Sequence, residues 1–201
     1  MPAAIWTGDL TAVTSDISRA LATELGLAAL PPAVTLPAEG DGVPAGSLLP
    51  PRERFSGMPA PTRSFVYVDA QAPRPFELRA SIMSGRSGFR RSVGLGHLLY
   101  AVPLTATLPT RVSLGASGFE GDSAVTGRLG GLLAQAHALA LTKAGPDVNH
   151  TWQVERLLAI EPLGQGALLV VRTLHRPNAR GWSLSADAVL TLASAVETAL
   201  G

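Results

Sequence analysis

The sequence predicts an α+β fold, an antiparallel sheet of about five to six strands packed with two or three helices. Three observations lead there. Phe65, Tyr67 and Asp69 alternate with Val66 and Val68, and apolar and polar positions alternate over Phe76 to Ile82, the patterns of half-buried strands. Two strand-like runs, Trp152 to Ile160 and Ala167 to Leu174, flank Leu163-Gly164-Gln165-Gly166, a tight-turn signal. Helical periods occupy Asp122 to Ala144 and Ser185 to Leu200, so helices stand between runs of strands instead of following each strand singly. With 201 residues, 46% hydrophobic and 15% charged, the chain can bury a core and is not a disordered polymer.

In chain order, Ile17, Leu21 and Leu25 recur at a spacing of four behind the cap candidates Thr14, Ser15 and Asp16, with Gly26 as terminator, which predicts a short amphipathic helix. Eight of the sixteen prolines fall between Pro31 and Pro61, a density that neither a helix nor a central strand tolerates. The chain is therefore divided into an N-terminal helical segment (1–30), a Pro/Gly-rich linker or arm (31–62) and an α+β domain (63–201). Within the domain two strands precede a Gly-rich basic loop at 84–96. Two more strands follow, His97 to Val102 and Thr110 to Ser117, with Pro103 and Pro109 bounding their connection. Val125, Leu129, Leu132, Leu133, Ala136, Leu139 and Ala140 form one helical stripe, capped by Asp122 or Ser123 and stopped by Gly145-Pro146. Gly127, Gly130 and Gly131 weaken its first turns, and close approach to a neighbouring sheet is the expected compensation. The last helix turns Val189, Leu192, Ala193, Val196 and Leu200 inward.

The stripe Leu129, Leu132, Leu133 and Ala136, the hairpin Trp152 to Leu174 and the helix Ser185 to Leu200 give an element order that resembles the small chaperones of type III secretion and related regulatory proteins, over about two thirds of the chain. The resemblance lies in topology and no motif carries it. It implies a chaperone-like or regulatory protein that binds a protein partner or peptide.

Composition narrows the chemistry. The absence of cysteine excludes disulfides, Cys-based zinc sites and thiol nucleophiles. Gly121-Asp122-Ser123 with Asp147-Val148-Asn149-His150 resembles the outer sequence blocks of GDS-type hydrolases, but the intervening oxyanion-hole asparagine is missing, and a helix cap and a turn account for both segments. No Gly-x-Ser-x-Gly elbow, phosphate loop or dinucleotide fingerprint is present. His97, His137, His150 and His175 stand apart without metal-ligand spacing, and His137 reads as a border residue with a satisfied ring. No cofactor and no metal are expected. The amino terminus shows no basic leader with an apolar run, and no window suits a bilayer span, so a cytoplasmic protein without a membrane is expected. Fifteen of the sixteen cations are Arg, with Lys143 the exception, a bias of GC-rich bacterial genomes.

Two features point to partners. The net charge of +1 hides a partition, because Arg52 to Arg91 holds eight Arg against Glu53, Asp69 and Glu77. Within it Arg86, Arg90 and Arg91 crowd a Gly-rich stretch beside Phe89, a composition suited to phosphate and to stacking on a base. Trp182 stands close to Arg176 and Arg180, and Trp6 lies near the amino terminus, the residue types of interface hot spots. The sequence thus predicts a non-enzymatic protein- or peptide-binding module that uses Trp6, Trp182, Arg176 and Arg180, with a homodimer as one form. Nucleic-acid binding through Arg86, Phe89, Arg90 and Arg91 is the alternative, and GDS-type hydrolysis a distant one.

Overall fold

The computed structural model describes residues 5–6, 19, 22, 48, 63–69, 74–87, 90–140, 155–174 and 186–201. The elements are β1 (Ile5–Trp6), β2 (Arg63–Asp69), β3 (Phe76–Ser87), β4 (Arg90–Leu104), β5 (Val112–Leu114), β6 (Phe119–Glu120), α1 (Ser123–Leu129), a 3₁₀ turn (Gly130–Leu132), α2 (Leu133–Ala140), β7 (Glu155–Leu163), β8 (Gly166–Leu174) and α3 (Ala186–Leu200). The strands form one antiparallel sheet ordered β2-β3-β4-β8-β7-β5-β6, with β1 added to β4. Six of them are three residues or longer, so the fold is the α+β sheet the sequence predicts. Of the helix expected over 14–25, Arg19 and Ala22 are described and both are helical. Among the described residues no helix is long and apolar enough to cross a membrane.

The two-residue period of the strands sorts side chains onto two faces. One face carries the rows Leu78, Tyr100, Val171, Leu158 and Val102, Leu169, Ile160, Val112, each row running across four strands in register. Against them pack Val125, Leu129 and Ala136 of the α1–α2 segment and Val189, Leu192, Ala193, Val196 and Leu200 of α3, the inward set expected for that helix. Phe76 and Tyr100 meet as a tilted aromatic pair with centroids 6.3 Å apart, and burial pushes the Tyr100 hydroxyl well above its ordinary pKa. Arg128 Nη1 donates to the Leu200 carbonyl at 2.8 Å, tying α1 to the C-terminal end of α3, where a cation also complements the helix dipole.

Several expectations need correction. Residues 84–87 and 90–96 are not a loop: the ladder between β3 and β4 continues through Ser87 and Arg90, each strand taking its order from pairing with the other. Pro103 lies inside β4, tolerated because the first β3 partner on that side is Glu77, opposite Ala101, so Pro103 needs a ladder neighbour only in β8. The strand expected over 110–117 shrinks to Val112–Leu114. The helix expected over 122–144 is interrupted by the 3₁₀ turn at Gly130–Leu132, where two adjacent glycines weaken the α ladder. The glycines do not mark close packing either, since a Cβ built on Gly127, Gly130 or Gly131 meets nothing within 4 Å. The predicted stop at Gly145-Pro146 lies outside the described residues.

Candidate binding surfaces

The opposite face of the sheet, away from α1, α2 and α3, is buried at its centre as well. Val170 pairs with Ala101 and Ala101 with Glu77; Leu168 and Leu99 flank this row. Leu99, Ala101, Leu168 and Val170 form a second, smaller apolar cluster, on which the half-buried Leu48 packs. Beside it Glu77 is fully buried and Arg79 is 3% exposed. Two residues apart on one strand, they share a face, and Arg79 Nε donates to Glu77 Oε1 at 2.5 Å. The other carboxylate oxygen, Oε2, accepts the backbone N–H of Leu48 at 2.6 Å. A charged pair taken out of water is tolerated only where hydrogen bonds occupy its remaining polar positions. The face therefore combines an apolar strip with a buried carboxylate that receives a main-chain N–H, and a residue of the Pro-rich segment occupies it.

Farther along the same face Arg172 donates to Glu161 Oε1 from Nη1 at 3.2 Å and from Nη2 at 3.3 Å, while Arg111 Nε lies 3.7 Å from the same oxygen. At the sheet end below α3, Glu197 receives Arg74, the Thr105 hydroxyl and, at 2.7 Å, the Thr105 N–H. Partial burial pushes the Glu197 carboxyl up, but the hydrogen bonds from Thr105 and Arg74, with the Arg74 charge, outweigh it and hold the group below the ordinary carboxylate value.

The predicted site residues distribute as follows. Trp6 is in β1, opposite Val93 of β4. Trp182, Arg176, Arg180 and Phe89 lie outside the described residues. Arg86, Arg90 and Arg91 are in strands, with Arg86 opposite Arg91 and Ser87 opposite Arg90. Asp122 is the cap of α1, its Oδ1 accepting the N–H groups of Ala124 at 2.9 Å and Val125 at 3.1 Å, while Asp147 and His150 lie outside the described residues. His137 Nε2 is 3.3 Å from the Gly115 carbonyl, the satisfied border position expected of it. Among the described residues no three His, Asp or Glu gather as a metal site. Glu77, Arg79 and Leu48 were not legible as a site: alternation marks Glu77 and Arg79 only as a polar face, and nothing in the sequence signals that this face is covered.

No family model, curated protein or solved structure matches the chain.

Proposed function

We propose that the chain is a non-enzymatic binding module that receives a protein partner or peptide, in a chaperone-like or regulatory role. The observation that carries this reading is the Leu48 contact, in which the face opposite α1, α2 and α3 holds a residue of the Pro-rich segment by an apolar strip and by Glu77 Oε2 on a backbone N–H. Such a surface recognises a main-chain N–H beside an apolar side chain, and the same chemistry suits a segment of another polypeptide or of a second copy. The element order that resembles type III secretion chaperones supports a role of this kind by analogy alone.

The experiment is purification of the tagged full-length protein from its native background, with light scattering for mass, mass spectrometry for what accompanies it, and hydrogen exchange of the complex. A protein recovered in stoichiometric amount that slows exchange at 99–101 and 168–170 is the expected result. A clean monomer with nothing bound, or a partner that leaves those amides unchanged, overturns the reading.

A further inference from the structure

We propose that Leu48 is a built-in competitor for the receiving face: in the free protein it fills the position that a partner segment takes, and binding of the partner displaces it. This inference rests on the peptide-receiving role proposed above. Leu48 offers both things that the face recognises, an N–H donated to Glu77 Oε2 at 2.6 Å and an apolar side chain packed on Leu99, Ala101, Leu168 and Val170. Among the described residues it belongs to no strand of the sheet, so a ladder does not fix it as it fixes β3, β4 and β8. Pro50 and Pro51, close behind it in the chain, have no N–H to donate. One hydrogen bond to a buried charge and one half-buried side chain make an attachment strong enough to be occupied when tethered and weak enough to exchange.

The tether sets how strongly Leu48 competes. Fourteen residues, 49–62, separate it from Arg63, the first residue of β2. Arg63 pairs with Ile82, and Glu77 lies five positions back along β3, so the tether spans roughly 17 Å at about 3.4 Å per residue. The root-mean-square reach of a chain of that length is about 20 Å. Where reach matches span, a tethered ligand has its highest effective concentration, on the order of mM. A free segment that makes only the contacts of Leu48 therefore does not displace it at micromolar concentration, whereas a partner that adds contacts along the face does. The apolar strip is thereby closed to weak, unselective ligands, a protection that matters because an exposed apolar patch invites aggregation.

The test is binding of a fluorescently tagged synthetic peptide with the sequence of residues 44–51 to the full-length protein, followed by anisotropy and by hydrogen exchange at 99–101 and 168–170. Leu48→Pro in the protein removes the internal donor, and the variant is expected to bind the peptide at least about tenfold more tightly than wild type, the equivalent of one hydrogen bond to a buried charge. Leu48→Ala keeps the N–H and loses apolar contact, for a gain of about fivefold, and serves if the Pro variant does not fold. In each case exchange at 99–101 and 168–170 slows when the peptide binds, and a peptide carrying Leu48→Pro itself does not bind. Slowed exchange with equal affinity for wild type and both variants overturns the internal competition and leaves the receiving face in place. A peptide that leaves those amides unchanged in the released variants, or a Leu48→Pro peptide that binds as tightly as its parent, overturns both.

Discussion

Glu77 is fully buried with Arg79 on a face that also carries Leu99, Ala101, Leu168 and Val170. Removing one member of such a pair strands the other charge, so Glu77→Ala is expected to cost about 3–5 kcal/mol in urea unfolding, while Glu77→Leu combined with Arg79→Leu costs far less. Equal losses for the single and double variants would mean that packing, not charge, sets the cost. Glu197 makes a different prediction. Its folded-state pKa lies below the unfolded value, so the stability it contributes is complete above the unfolded carboxylate pKa and disappears as pH falls through the folded one. The melting-temperature gap between wild type and Glu197→Gln should be largest near neutrality and should close in acid. A gap that widens in acid contradicts the Arg74–Glu197–Thr105 assignment.

At the scale of elements, the glycines separate into two kinds that the sequence alone does not distinguish. Gly130 has φ −54° and ψ −37°, a helical conformation open to any residue, and its missing Cβ faces open space as does that of Gly131. Gly130→Ala is therefore expected to raise stability by about 0.4–1 kcal/mol in urea unfolding by restricting the unfolded chain. Gly164 has φ +57° in the β7–β8 turn, and Gly164→Ala should lower stability by about 1 kcal/mol through left-handed strain. The two changes must differ in sign. Periodicity made the α3 face, the β2–β3 pair and the β7–β8 hairpin legible, since each is a local pattern fixed by neighbours in the chain. It failed at 84–96, where Gly and Arg read as a loop, because a long hairpin draws its order from the opposite strand and not from its own alternation. The same blindness to partners hid the 3₁₀ turn, since the apolar stripe of Val125 to Leu139 continues across Gly130 and Gly131 with its phase nearly kept.

For the molecule as a whole, the sheet is buried on both faces at its centre, and α1, α2 and α3 cover one of them. The sequence marks 31–62 as a linker or arm by its proline content, and no local pattern reveals that Leu48 reaches a carboxylate 29 positions away. That contact joins the Pro-rich segment to the domain and gives it energetic consequences that can be separated. Leu48→Ala keeps the N–H and removes apolar contact from the Leu99, Ala101, Leu168 and Val170 cluster. Leu48→Pro keeps an apolar ring and removes the donor, leaving Glu77 Oε2 without the backbone N–H of residue 48. A hydrogen bond to a buried charge contributes about 1.5–3 kcal/mol. Leu48→Pro is thus expected to lose that much in urea unfolding and to speed proteolytic cleavage within 31–62, because a segment released from the sheet becomes accessible to protease. In a Glu77→Leu, Arg79→Leu background the acceptor is gone, and Leu48→Pro should then be nearly neutral. An undiminished loss in that background would show that the segment is held by contacts other than the Glu77 carboxylate, and the peptide-receiving chemistry assigned to this face would lose its polar half.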